Sequence, residues 1–291
     1  MSILSKRPVK QKRSGTGLCK RNWIGLISPR LQSKTQVKSG RLTMCPAPAS
    51  SANMQMAQVH PYKFTTSVLD LALESGAQFI QGLCTSINDN DNSISYTAPD
   101  NSSLSLSADT VILTAGPWTP KLLPSIPIST SRAHSIVIQS PEQLPAQAIF
   151  FSYTSSIDHL SMEPELYSRP SSVYICGPTD STHPLPQYAR DVEILDRATS
   201  TLEKFARSVS TRLAGNVVRR QACYLPFHDR GYPAIGWQQH PSTNGMGVFV
   251  AAGHGVWGIS LAPGTGKIIA EMVLAGNPGK VEGVDISKLA P

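Results

Sequence analysis

The chain has 291 residues, 40% of them hydrophobic, and carries 26 Lys and Arg against 19 Asp and Glu. That length can bury a sizeable core in one large or two modest domains, and no apolar run approaches 18 residues, so neither a transmembrane helix nor a membrane partner is expected. The net charge of +7 is uneven: eleven basic residues and no acid fall in residues 1–42, leaving 15 basic against 19 acidic residues, a net of −4, for 43–291. A nucleic-acid partner is therefore not expected of the globular part.

The five cysteines, at 19, 45, 84, 176 and 223, show neither CxxC nor metal-ligand spacing, and no secretory segment precedes them. Free thiols, no metal site and a reducing, cytoplasmic setting are expected. Residues 1–56 keep no period of 2 or 3.6 and are rich in Ser, Gln and Thr, so they read as a basic, disordered extension. A nucleic-acid tail, a nuclear signal and an organellar transit peptide are its competing readings; mitochondrial or peroxisomal placement is the alternative to the cytoplasm. Gly15-Thr16-Gly17-Leu18-Cys19-Lys20 fails as a phosphate-binding turn, because lysine stands where a third glycine is needed and no apolar strand precedes it.

From Ala57 the pattern becomes orderly. His60-Pro61 opens a helix whose apolar stripe is Val68, Leu69, Leu71, Ala72 and Leu73 and which Gly76 ends. His60 reads as a turn residue in preference to a catalytic base. Ala77 to Ile80 is a strand, and Leu83 to Ile87 alternates into a hairpin through the Asn/Asp-rich turn 88–92. Asp109 to Leu113 is a continuous apolar run, as expected of a parallel strand covered on both faces; it leaves through the small residues Ala115 and Gly116 toward Trp118. Ser135 to Gln139, Gln147 to Phe151 and Ser172 to Gly177 are short β runs separated by Pro and polar turns, which points to a mainly antiparallel sheet. Asp191 to Ser208 is an amphipathic helix with Val192, Leu195, Ala198, Leu202, Phe205 and Val209 on its core face.

The most informative stretch runs from Met246 to Lys267. A β-branched and aromatic run enters a glycine cluster, Gly253-His254-Gly255-Val256-Trp257-Gly258-Ile259, and continues into a segment, Lys267 to Gly276, with helical spacing and a terminal glycine. It reads strand, tight turn, helix. Such a turn lets backbone approach a ligand, and the helix start behind it offers unpaired N–H groups and the positive end of a dipole. Gly253-x-Gly255-x-x-Gly258 has the spacing of a dinucleotide turn. Only 33 residues stand after Gly258, too few for the βαβ unit and the acidic residue some 20 positions on that such a turn requires.

Ala252 to Ile259 with Pro263-Gly264-Thr265-Gly266-Lys267 resembles the C-terminal flavin motif of the FAD-dependent D-amino-acid oxidase and glycine oxidase family. Four further segments match in order: Ala57 to Phe64, Ala115-Gly116-Pro117-Trp118, Arg132 to Ser135 with Cys176 to Asp180, and Gln221 to Gly236. Together they span about 57–276. The resemblance implies an α/β (α+β overall) fold: an incomplete Rossmann-like FAD-binding domain at 57–124 and 245–280, a mainly antiparallel substrate domain at 125–244, and a tail at 281–291. It implies FAD as cofactor, bound by Thr85, Ala115, Gly116, Trp118, Gly253, His254, Gly255, Val256, Trp257, Gly258 and Ile259, and a small-molecule amine, amino acid or imino acid as substrate. Family members open with a Gly-x-Gly-x-x-Gly turn that this chain lacks. Amino-acid-oxidising relatives clamp the substrate carboxylate with an arginine at the position of Leu225, for which Arg219, Arg220 or Arg230 are the candidate substitutes. No residue is assigned as catalytic. The competing expectation is a truncated, non-catalytic relative acting as a binding module.

Overall fold

The structure is a computed structural model, and it describes residues 2–5, 40–44, 59–88, 90–140, 142–145, 147–155, 159–242, 245–274 and 285–291. In chain order the strands and helices begin with β1 (Ser2–Ser5), β2 (Gly40–Met44), α1 (Pro61–Glu74), β3 (Gln78–Gln81), β4 (Leu83–Asn88), β5 (Ser93–Thr97), β6 (Ser103–Ser107) and β7 (Thr110–Leu113). Then come α2 (Thr119–Leu122), β8 (Ile128–Gln139), β9 (Ala148–Ser155), β10 (Ser161–Met162), β11 (Glu165–Ser168), β12 (Val173–Asp180) and α3 (Asp196–Val209). The chain closes with β13 (Asn216–His228), β14 (Ala234–Gln239), β15 (Gly247–Ala252) and α4 (Gly258–Leu274). The expected mix of helix and largely antiparallel sheet is what the chain forms. None of the described helices is long and apolar enough to cross a membrane. The glycine pair at 15 and 17, Cys19, Cys45 and Gly276 lie outside the described residues.

Two compact units share the chain. The first takes His60–Ser131 and Leu225–Pro291. Its sheet β14-β15-β7 is mixed: β14 pairs antiparallel with β15, and β15 pairs parallel with β7 in the register Gly247↔Thr110 to Val250↔Leu113. This pairing corrects the expected return point after 244, because Ala234 already faces Ala252 across the sheet and so belongs with the first unit. All six residues of β15 are buried, and Leu113, Ala115, Ile126, Ala234, Val250 and Ala252 form one core cluster. A separate antiparallel sheet, β4-β5-β6, packs Cys84 and Ile94 with Val111, Met246 and Val248.

Three expectations need correction. Helix α1 ends as Gly76 allows, with its φ of +90°, Gly76 N–H donating to Leu73 O and Ala77 N–H to Ala72 O, the Schellman pattern. Yet no residue of α1 is buried, and Val68 and Leu71 of the expected stripe are 49% and 61% exposed. Strand β7 is not covered on both faces either: Val111 and Leu113 are buried, but Ile112 on the opposite face is 41% exposed. The third concerns residues 1–56, where β1 pairs antiparallel with β3 and β2 with β9, so two short stretches of the supposedly patternless extension are strands.

The second unit holds Arg132–Tyr224. Its sheet runs β10-β9-β11-β12-β8-β13, with β2 beside β9. Strand alternation sends Ile136, Ile138, Phe151, Tyr153, Leu166, Val173 and Ile175 to one face, where α3 packs Leu202, Phe205 and Ala206 against them. Helix α3 begins at Asp196, later than the expected Asp191, because Leu195 is extended and acts as the N-cap. Arg132, 1% exposed, is held by Asp180 at 2.6 Å and by both the carbonyl and the carboxylate of Glu193 at 3.1 and 3.3 Å. Two donors of Thr182 and the Arg132 guanidinium keep the Asp180 carboxyl far below the usual carboxylate range. A depressed carboxylate pKa stabilises the fold fully above the unfolded value near 3.9, and the contribution disappears as pH falls toward the folded value. Melting temperatures of the wild type should therefore fall steeply below about pH 4, and in Asp180→Asn that acid limb should be shallower.

Candidate functional site

Parallel neighbours present their C-terminal ends on the same side of a sheet, which is where α/β sheets place ligands. Strands β7 and β15 are such neighbours, and Leu113 paired with Val250 puts Ala115-Gly116 beside Ala252-Gly253. The two exits are built alike. Ala115-Gly116-Pro117-Trp118 turns through Gly116 at φ +54°, with Trp118 N–H donating to Ala115 O at 3.0 Å. His254-Gly255-Val256-Trp257 turns through Gly255 at φ +56°, with Trp257 N–H donating to His254 O at 3.0 Å. Each then enters a helix, the short α2 in one case and the 17-residue α4 in the other. Helix α4 thus starts at Gly258, ahead of the segment Lys267 to Gly276 whose spacing revealed it.

The glycines serve different ends. At Gly253, φ +87°, a Cβ would stand 2.8 Å from His228 Cβ and 3.1 Å from Ile128 Cδ1; at Gly255 it would stand 2.8 Å from the Phe227 ring. Those two positions need glycine for packing against β13 and β8 as well as for φ. A Cβ on Gly116 would meet nothing within 4 Å. There the chain keeps open space beside the turn.

His254 is half-buried, its Nε2 3.0 Å from Thr265 Oγ1 on the next turns of α4. Burial lowers its pKa, so it stands as a neutral imidazole oriented by a hydroxyl. Val256, Trp257, Ile259 and Leu261 are 61%, 66%, 40% and 43% exposed, so the start of α4 is flanked by uncovered apolar side chains. Trp118 instead packs with the Leu113 cluster.

The structure therefore brings ten of the eleven expected site residues onto two adjacent turns: Ala115, Gly116, Trp118, and Gly253 through Ile259. Thr85 stands apart. It sits at an irregularity of the β4–β5 pairing, where its hydroxyl donates to Ser95 O at 3.2 Å. Sequence reasoning missed Phe227 and His228, the seats of Gly255 and Gly253, and Thr265, the partner of His254. The Phe227-His228 pair could have drawn notice as aromatic residues ending a strand, but nothing local ties them to a glycine turn. Among the substitute arginines, Arg220 donates to Glu203 of α3 at 2.6 Å and Arg230 donates to the Ala290 carbonyl at 2.7 Å, so both are committed to internal partners; Arg219 is exposed.

Comparison with known proteins agrees with this geometry. Residues 29–272 match the family model described as FAD dependent oxidoreductase, DAO. An inferred oxidoreductase of Schizosaccharomyces pombe is 34% identical over 254 residues, covering 80% of this chain and 63% of the relative. TDA3 of Saccharomyces cerevisiae, also an inferred oxidoreductase, is 31% identical over 271 residues, covering 81% and 50%. The chain thus spans between half and under two thirds of the curated relatives it matches. Among solved structures, iminodiacetate oxidase of a Chelativorans species superposes with a TM-score of 0.58 at 18% identity, covering 78% of this chain and 57% of that one. Glycine oxidase of Geobacillus kaustophilus does so at 0.52 and 18%, covering 71% and 50%. The parallel pairing of β7 and β15, the twin glycine turns at their ends and the match over most of the sequence lead to one conclusion: the chain belongs to the DAO family of FAD-dependent oxidoreductases.

Proposed function

We propose that this chain oxidises a small amine, amino acid or imino acid by hydride transfer to FAD, with the first unit as a Rossmann-like cofactor domain and the second as the substrate domain. The observation that carries the reading is the parallel alignment of β7 and β15, which sets the Gly116 and Gly253–Gly258 turns side by side. The residues present fit part of a flavin nucleotide. The space beside Gly116 admits a ligand, the N-terminus of α4 aims free N–H groups and a positive dipole end at an anionic or carbonyl edge, and Val256, Trp257 and Ile259 offer exposed apolar surface to a ring. Bound there, FAD supplies the two-electron acceptor for a C–H next to nitrogen. The protein's share is to position it, to stabilise negative charge without an ionisable group through the helix start, and to keep a neutral His254 fixed by Thr265. Free thiols at Cys84, Cys176 and Cys223 fit a cytoplasmic setting.

The test separates cofactor contact from folding. Asparagine tolerates positive φ and would put a side chain into the open space at Gly116. Wild-type protein supplemented with FAD should acquire flavin absorbance, and Gly116→Asn should keep its melting temperature within about 3 °C while losing at least tenfold in flavin affinity. A colourless wild type, or a variant that binds flavin equally well, would sink the proposal. The competing reading, a relative that binds partners without flavin, draws on the exposed Ile112, Val256 and Trp257; it requires the wild type to stay colourless.

A further inference from the structure

Residues 181–195 of the second unit, between the end of β12 and the start of α3, are anchored by hydrogen bonds from three neighbouring strands. Thr182 donates its N–H and hydroxyl to Asp180 Oδ1 of β12 at 2.9 and 2.6 Å. Tyr224 OH of β13 donates to Pro184 O at 2.9 Å, and Arg132 of β8 donates to Glu193 O at 3.1 Å. A further anchor is His134 of β8, 1% exposed, whose Nε2 accepts the N–H of Leu195 at 3.3 Å. Leu195 is the N-cap of α3 and offers no capping side chain, while its carbonyl accepts from Ala198 N–H and Thr199 N–H, both at 3.1 Å. The imidazole thus fixes the residue on which the first turn of α3 is built.

An accepting Nε2 exists only in the neutral ring. The proton of that form sits on Nδ1, which lies toward Pro178 O without completing a hydrogen bond. A second proton would turn the acceptor into a donor pointed at another donor, and Leu195 N–H would lose its partner. It would also set a cation beside two positive neighbours, the Arg132 guanidinium on the same strand and the N-terminal dipole end of α3. The carboxylates nearby are engaged: Asp180 with Arg132, Thr182 and, at 2.9 Å, His183 Nδ1, and Glu193 with Arg132 at 3.3 Å. Asp196, in the first turn of α3, is exposed to solvent. Burial first, then Arg132 and His183, hold the His134 pKa below its ordinary value against the pull of Asp180. Of these anchors His134 alone changes charge in mild acid, because the Thr182 donors and Arg132 keep the Asp180 carboxyl ionised far below that range.

We propose that His134 is an acid-sensitive latch: neutral, it ties Leu195 and the first turn of α3 to β8; protonated, it frees them, so that residues 181–195 and the start of α3 open while the sheet stays closed. Linkage sets the sign and the window. Once open, the ring titrates at its ordinary value near about 6.5, whereas the closed form resists the proton. The closed state is therefore fully favoured above about pH 6.5 and loses about tenfold in its ratio to the open state for each pH unit below, down to the closed form's own value. The latch uses none of the glycine turns and holds with or without flavin.

Amide exchange of the full chain at about pH 7.5 and about pH 5.5 tests it, expressed as protection relative to unstructured peptide so that the pH dependence of the exchange chemistry cancels. Protection of Leu195, Ala198 and Thr199 should fall about tenfold between the two, and that of Val173 to Cys176 in β12 by less than about threefold. His134→Gln, which keeps an uncharged acceptor at both pH values, should remove the fall, and His183→Gln should retain it. Wild-type protection at the start of α3 that changes by less than about threefold, or that falls equally in β12, overturns the proposal, and neither reading depends on a variant folding. A fall that survives intact in His134→Gln, or that vanishes in His183→Gln, overturns it as well by giving the switch to another group.

Discussion

Gly253→Ala should lower the melting temperature by about 6–12 °C. Two costs add. A left-handed φ of +87° is penalised by about 1–2 kcal/mol once a Cβ is present. The new atom also stands 2.8 Å from His228 Cβ and 3.2 Å from the His228 backbone nitrogen, and a backbone cannot rotate away as a side-chain tip can, so overpacking contributes about 1–3 kcal/mol more. The sum, about 3 kcal/mol, spread over a unit of this size gives a shift of that order. Gly116→Ala is the control: its φ of +54° carries the conformational cost, but nothing lies within 4 Å, so the drop should stay at about a third to two thirds of that. Differential scanning calorimetry of the two variants in parallel measures the difference, and equal shifts would mean that the packing of Gly253 on His228 contributes nothing.

Phe205→Ala should cost the second unit about 3–5 kcal/mol. Phe205 is 1% exposed and lies against the rings of Phe151 and Tyr153, each with a centroid separation of 5.1 Å and a near-perpendicular tilt. Truncation empties the centre of the cluster that joins α3 to β9, β12 and β8, and strands on one side cannot collapse into the void without breaking register. Amide exchange along Val173–Asp180 should quicken by roughly a hundredfold to more than a thousandfold. Phe205→Leu, which keeps most of the volume, should cost under about 1.5 kcal/mol. Exchange unchanged in the alanine variant would show that α3 does not hold this sheet together.

The elements most legible in the sequence are those whose rule is local. Strands β4 and β5 pair antiparallel, as the Asn/Asp-rich stretch between them led one to expect; the alternating β runs pair antiparallel; the buried stripe of α3 is Ala198, Leu202 and Phe205. Each depends on a period or a φ preference acting within a few residues. The glycines of the two strand exits belong here as well, since positive φ is a property of one residue. Helix α1 marks the limit. Its apolar spacing is that of a core helix, but spacing states which residues share a face and not whether anything lies on that face, and Val68 and Leu71 are exposed.

By itself the sequence determined the kinds of element, the glycine turns and, through five motifs in order, the family. Only the tertiary structure decided that β7 and β15 run parallel as neighbours, that Phe227 and His228 seat the glycines, and that no residue of α1 is buried. Period and propensity act along the chain, whereas pairing and burial depend on which distant segment arrives at each face, and no residue encodes its partner alone.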